Sequence, residues 1–287
     1  MCSTCGCSGE DSGIRVTLVP ETVLARPADD EHPHGDHDHP HHGHEHGAGH
    51  EHGDDHEHEH GDGHGHAPPP AVEETRTILL EQEILAKNDS LAALNRHNLQ
   101  ARGITAVNLM SSPGSGKTTL LEHTVRALAG TRETLVIEGD QETLLDAQRI
   151  RATGSRVVQI NTGAGCHLDA QMLGSGLTEL APPDGSLVFV ENVGNLVCPA
   201  LFDLGETARV VIVSVTEGAD KPAKYPYMFR TADLVLLNKI DLLPYVEFDV
   251  ELCLELITRL KPDAQILQVS ATRGDGLAGW HNWLAEL

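Results

Sequence analysis

From Ile104 onward the chain alternates short apolar runs with amphipathic stretches. The runs 106–110, 135–137, 157–160, 187–190, 210–213, 234–237 and 266–269 are dominated by Val, Ile and Leu. With little polar alternation, they predict strands covered on both faces. Between most of them apolar residues recur at helical spacing: Leu120, Leu121, Val125 and Leu128, then Leu144, Leu145 and Ile150. The same holds for Leu168, Met172, Leu173 and Leu177, and for Val250, Leu254 and Ile257; Leu277, Trp280 and Leu284 close the chain. Repeated β–α units of this kind predict an α/β fold, a mostly parallel sheet flanked by helices, with ligands at the carboxyl ends of the strands.

Ahead of this region Ile78, Leu79, Ile84, Leu85, Leu91, Leu94 and Leu99 also recur at helical spacing. Asn88-Asp89 is expected to interrupt the run and Gly103 to end it. The organisation expected is a segment 1–70 without a core of its own, a helical extension 71–103, and a main domain 104–287.

Composition explains the first segment. Residues 27–71 are His, Asp, Glu, Gly and Pro with almost no large apolar side chain, and 32–66 holds fifteen of the nineteen histidines. Such a segment buries too little surface to offset the entropy of ordering, so disorder without metal is expected. The formal net charge is −23, and twelve carboxylates lie between Asp29 and Asp62. The remaining body is acidic too, which argues against nucleic acid as a partner. The first residues lack the basic and apolar regions of a secretory leader, and no apolar run approaches the ~20 residues that span a bilayer. A soluble cytoplasmic protein is expected, with no membrane partner. Six cysteines, three of them at positions 2, 5 and 7, suit metal binding in a reducing compartment better than a disulfide framework.

The residues 111–118 read Ser-Ser-Pro-Gly-Ser-Gly-Lys-Thr, between a predicted strand and a predicted helix. This is a phosphate-cradling loop. Gly114 and Gly116 let backbone amides, with that of Ser115, approach phosphate oxygens. Lys117 reaches the β/γ-phosphates, Thr118 is placed to ligate Mg²⁺, and Thr119 extends the cradle onto a helix N-terminus. Ser111 stands where the strict pattern has Gly, which removes no phosphate ligand. Asn238-Lys239-Ile240-Asp241 ends a later strand. A carboxylate at Asp241 can accept from N1 and N2 of guanine, a donor pair adenine lacks, while the Lys239 stem packs along the base. Ser270-Ala271 fits a backbone contact to the guanine oxygen. These elements resemble the base readers of GTPases and favour GTP over ATP.

Asp140 and Glu191 each follow a strand and are candidates for holding Mg²⁺ at the γ-phosphate, with the Gly194 amide sensing that phosphate. Lys117, Asp140, Glu191 and Gly194 form the expected catalytic set. No glutamine or arginine occupies an obvious catalytic position, although Lys221 or Lys224 could act from a partner subunit. Slow intrinsic hydrolysis is expected.

Cys2, Cys5 and Cys7, with the amine of Cys2 if Met1 is removed, suit square-planar Ni²⁺, and tetrahedral Zn²⁺ also fits. Cys166, His167 and Cys198 form a second candidate site, on the rim that bears the phosphate loop. Cys253 is read as structural. The His-rich run suits storage of several weakly held ions.

Taken together, Cys-x-x-Cys-Gly-Cys, the loop at 111–119, Glu138-Gly139-Asp140, Gly163-Ala164-Gly165-Cys166-His167, the run from Glu191 to Pro199 and Asn-Lys-Ile-Asp resemble the HypB family. These are nickel-delivering GTPases of nickel–iron hydrogenase maturation. The resemblance covers 73–287 and the first seven residues. It implies a SIMIBI-class P-loop GTPase that dimerises across its nucleotide face, with Cys166, His167 and Cys198 forming a metal site at the dimer interface. It also implies partnership with a HypA-type metallochaperone and a hydrogenase large-subunit precursor. The competing readings are a urease-type nickel GTPase, which lacks the N-terminal cysteine motif, and a metal-storage protein.

Overall fold

The computed structural model describes residues 14–20, 71–141 and 144–287, with 71–81 described only as helical backbone. Cys2, Cys5, Cys7 and the His-rich run lie outside the described residues. The chain divides into two units: one spans Met1–Thr22 and Ile78–Leu287, the other Val23–Thr77. Of the second, the described residues comprise only the start of a helix.

The seven expected strands all form: β2 (Thr105–Ser111), β3 (Thr134–Asp140), β4 (Val157–Asn161), β5 (Leu187–Glu191), β6 (Ala208–Ser214), β7 (Leu234–Asn238) and β8 (Gln265–Gln268). An eighth, β1 (Arg15–Leu18), was not anticipated. It pairs antiparallel with β4, Arg15 opposite Asn161, while every other pairing is parallel. Four residues at a sheet edge carry too little pattern to be distinguished from loop, and only the β4 edge gives them a partner. The order across the sheet is β1-β4-β3-β5-β2-β6-β7-β8.

Both faces are covered, which is why the central strands read as continuous apolar runs. Against one face lie α2 (Lys117–Leu128), α3 (Leu145–Arg151) and α8 (Leu277–Glu286), through Leu120, Leu121, Ile150 and Trp280 on Val107, Leu109 and Phe189. The Trp280 indole N–H donates to Thr124 Oγ1 at 2.8 Å, tying α8 to the helix that carries the phosphate loop. The other face is covered by α1 (Ala71–Ala101), α4 (Ala170–Leu180), α5 (Lys221–Lys224), α6 (Pro226–Arg230) and α7 (Val250–Leu260). Leu99, Leu173 and Leu180 join one core cluster there, and Phe229, Cys253 and Ile257 another. Cys253 is fully buried, and burial pushes its thiol up to about 11, so it is structural as expected.

Helix α1 corrects one expectation. Asn88-Asp89 does not interrupt it; the helix runs unbroken from Ala71 to Ala101. Asparagine opposes helix where its side chain competes for local backbone groups. Here the Asn88 side chain is committed to distant ones: it accepts from the Ala170 N–H at 2.9 Å and donates to the Asp203 carbonyl at 2.8 Å. Gly103 ends the helix at φ +59°, with the Ile104 N–H donating back to the Leu99 carbonyl. Among the described residues no helix is long and apolar enough to cross a membrane.

Candidate nucleotide and metal site

The carboxyl ends of β2, β3 and β5 open onto a cavity of about 490 Å³, lined by residues 113–119, 138–141 and 191–194 with Asp146, Arg149 and Lys239. Lys117, Asp140, Glu191 and Gly194 therefore share one cavity, as do Gly114, Ser115, Gly116, Thr118 and Thr119. Lys117 Nζ donates to Ser111 Oγ at 2.8 Å, so the serine in place of glycine acts as a rest for the lysine head. Burial lowers the Lys117 pKa, opposed by nearby Glu191. Thr118 Oγ1 donates to Glu191 Oε1 at 2.8 Å, bridging the phosphate loop to the end of β5. Gly194 lies directly on the loop, for a Cβ there would meet the Pro113 Cα at 2.9 Å.

The candidate base-reading residues connect to the same loop. Asn238 Nδ2 donates to the Ser115 carbonyl at 2.9 Å, and its Oδ1 accepts from the Ala271 N–H at 3.0 Å. Lys239 Nζ donates to the Gly114 carbonyl at 2.7 Å, and Ser270 Oγ donates to Asp241 Oδ1 at 2.6 Å. The five residues Asn238, Lys239, Asp241, Ser270 and Ala271 thus converge, although more than thirty positions separate Asn238 from Ala271.

Glu138 and Arg149 are among the cavity residues to which the sequence assigned no role. Glu138 stands beside Glu191 in the β3–β5 register, and both are buried. Glu138 Oε2 and Glu191 Oε2 meet no hydrogen-bond partner among the described residues. Burial raises the Glu138 carboxyl to about 9, with Glu191 and Asp140 adding repulsion. Burial likewise raises Glu191 to about 7, against the pull of Lys117 and the Thr118 hydrogen bond. Buried carboxylate oxygens lacking partners, beside a threonine hydroxyl, fit a hard divalent cation that takes oxygen ligands. The detectable signal for Glu138 was a charge inside an otherwise apolar strand. Arg149 is the second: it lines the cavity on α3, held by Glu122 at 3.1 Å and Asp146 at 3.0 Å, with Thr119 Oγ1 at 3.4 Å. An arginine was not evident in the sequence because α3 carries it to the rim from outside any motif. Lys221 pairs with Glu217 and also donates to Ser112 Oγ at 3.3 Å, whereas Lys224 pairs with Asp220 on the surface.

Cys166, His167 and Cys198 come together as anticipated, their ligand atoms within 4.8 Å of one another. The two sulfurs lie 2.8 Å apart, and the His167 ring stacks on Phe202 at 4.0 Å between centroids. Burial lowers the His167 pKa, so a neutral imidazole with a free lone pair is favoured. Two cysteine sulfurs, binding as thiolates, and a neutral imidazole are a donor set that nickel and zinc accept.

Hydrogen bonds link cavity and cluster. Asn192, next to Glu191, accepts from the Leu168 N–H at 3.1 Å. Asn195 Nδ2 donates to the Cys166 carbonyl at 3.3 Å, and Gln141 Nε2 to the Gly165 carbonyl at 3.2 Å.

Comparison with known proteins agrees with this geometry. The CobW/HypB/UreG nucleotide-binding domain matches residues 105–268. Hydrogenase maturation factor HypB of Azotobacter vinelandii is 55% identical over 215 residues, covering 75% of this chain and 71% of that protein. HypB of Escherichia coli K12 is 53% identical, covering 75% and 74%. The crystal structure of HypB from Archaeoglobus fulgidus superposes with a TM-score of 0.66 at 41% identity, covering 70% of this chain and 98% of that one. HypB from Helicobacter pylori, in complex with nickel, gives 0.65 at 40%, covering 70% and 94%. Fold, cavity and sequence likeness lead to one assignment: the chain belongs to the HypB family of hydrogenase maturation factors, within the CobW/HypB/UreG nucleotide-binding group.

Proposed function

We propose that this chain is a GTP-hydrolysing metallochaperone that delivers Ni²⁺ into a hydrogenase large-subunit precursor, with the nucleotide state setting when the metal is released. One observation carries the reading. The segment that starts at Glu191, bonded to Thr118 of the phosphate loop, ends at Cys198 of the metal cluster.

In this reading Lys117 leaves Ser111 to meet phosphate oxygens, while Gly114, Ser115 and Gly116 supply backbone donors. Asp241 selects guanine, positioned by Ser270, and Asn238 holds the base-reading turn against the phosphate loop. Thr118, Asp140 and Glu191 would hold Mg²⁺, which neutralises charge on the phosphate oxygens. Gly194 reports the γ-phosphate through its contact with Pro113. Movement there passes through Asn192 and Asn195 to the Cys166 loop, and through the chain itself to Cys198. Slow intrinsic turnover suits a timer. Cys2, Cys5 and Cys7 act as a separate nickel site and the His-rich run as a reserve. Zn²⁺ is a competitor at Cys166, His167 and Cys198. Two copies join across the nucleotide face, and a HypA-type metallochaperone is the partner in delivery.

The test compares Ni²⁺ affinity and dimerisation of a Cys2/Cys5/Cys7→Ser protein loaded with GDP or with a non-hydrolysable GTP analogue. A nucleotide-dependent change in affinity at Cys166, His167 and Cys198 is expected. Equal affinity together with equal dimerisation would overturn the proposal.

A further inference from the structure

Helix α1 is absent from the nucleotide chemistry described above, yet it meets both loops that carry the metal cluster. Its contact residues, Asn88, Ala92, Asn95, Arg96 and Leu99, recur at helical spacing and form one face. Asn95 Nδ2 donates to the Ala170 carbonyl at 2.7 Å and to the Leu204 carbonyl at 3.0 Å. Asn88 accepts from the Ala170 N–H and donates to the Asp203 carbonyl. Arg96 holds both Asp203 carboxylate oxygens at 2.7 Å. Ala170 lies three residues after His167, and Asp203 follows Phe202, the ring on which His167 stacks. Both asparagines are buried, at 6% and 7% exposure, where unmade hydrogen bonds are costly.

The seating is close. A Cβ on Gly205, at φ +87°, would stand 2.3 Å from the Ala92 carbonyl oxygen, so the loop backbone lies directly on the helix backbone. Each loop leaves its strand before reaching its cysteine, and only a single 3-10 turn at Cys198–Ala200 follows in the second, so neither loop by itself fixes the spacing between Cys166 and Cys198. The two loops touch each other through Asn192 and Asn195, and α1 is a helix that packs on both from behind.

We infer that Asn88 and Asn95 are positioning residues for the metal site: α1 is a clamp that fixes the Cys166/His167 loop against the Cys198 loop at ligand spacing. The inference rests on the reading that these three residues bind the metal. Groups that orient ligands from behind typically matter by about 10- to 100-fold in metal affinity.

The experiment uses the full chain with Cys2, Cys5 and Cys7 replaced by Ser, and titrates Ni²⁺ against a competing chelator. The readout is the thiolate-to-metal charge-transfer absorption, to which imidazole in the His-rich run does not contribute. Asn95→Leu keeps the approximate shape and removes both donated bonds. Asn88→Asp, the milder variant, keeps the acceptor for Ala170 and loses the donor to Asp203. Ile257→Ala, in a separate core cluster, controls for general destabilisation. The expected result is Ni²⁺ affinity lower by about tenfold or more and an altered charge-transfer band in both asparagine variants, with GDP affinity unchanged. The Ile257 control should keep the parent affinity and band. Parent-like affinity and band in folded Asn88 and Asn95 variants would overturn the clamp while leaving the metal reading intact. So would an equal loss in the Ile257 control. Absence of the band from the unmutated site, or its persistence after Cys166→Ser and Cys198→Ser, would remove the metal reading and the clamp with it.

Discussion

Replacing Asn238 with Ala removes a side chain that bonds the phosphate loop to the turn after β8. The residue is 1% exposed, so neither lost partner regains water. The Ser115 carbonyl and the Ala271 N–H, at 2.9 and 3.0 Å in the parent, are left unpaired. Each buried orphan costs about 1–3 kcal/mol, giving a loss of about 2–6 kcal/mol from a domain total of about 5–15. The variant should still fold. Because a bound nucleotide spans both loops, they must be brought into register at binding, and 1.4 kcal/mol corresponds to about tenfold in affinity. GDP and GTP affinity should therefore fall together, by about tenfold or more, with guanine preference kept through Asp241. Asn238→Asp retains the Ala271 bond but turns a buried carboxylate toward the Ser115 carbonyl, so it should bind nucleotide weakly and lose at least as much stability. Urea unfolding with and without GDP, alongside titration of a fluorescent GDP, measures both quantities. Parent-like GDP affinity in Asn238→Ala would refute the idea that this contact aligns the two loops.

Three further outcomes are expected. The raised carboxyls of Glu138 and Glu191 make the nucleotide-free protein less stable as pH rises. Unfolded carboxyls lose their protons near 4.5, while the folded ones hold theirs to about 9 and about 7. Stability should thus fall between pH 4.5 and 9, and Glu138→Gln should flatten its share of the slope, as thermal melts across that range can check. Asp241→Asn exchanges an acceptor for a donor at the guanine edge. Competition binding should show weaker GTP and stronger xanthosine triphosphate binding, the latter having an acceptor where guanine has an amino group. Gly205→Ala forces a methyl onto the Ala92 carbonyl at a left-handed backbone position, so it should lower stability by about 2 kcal/mol or more in chemical denaturation.

The sequence itself determined the elements and the chemistry carried by contiguous residues. Central strands such as β5 and β7 were legible because burial on both faces demands unbroken apolar runs. The phosphate loop was legible because amides, lysine and threonine must follow one another along a single strand-to-helix turn. Cys166 and Cys198 were placed on one rim by topology, since parallel strands deliver their following loops to the same edge.

What tertiary structure decided is what depends on neighbours distant in sequence. The edge strand β1 exists because β4 offers it a partner. Helix α1 passes through Asn88 because Ala170 and Asp203 take up a side chain that would otherwise compete with the helix. Glu138, named in a motif but given no role there, became part of the cavity through its register beside Glu191, and Arg149, outside any motif, through the packing of α3. The path from the phosphate loop to the Cys166/Cys198 cluster follows the same division. Sequence supplied its ends, Thr118 and Cys198, while the hydrogen bonds of Asn192 and Asn195 and the seating of α1 exist only once separate segments fold onto one another.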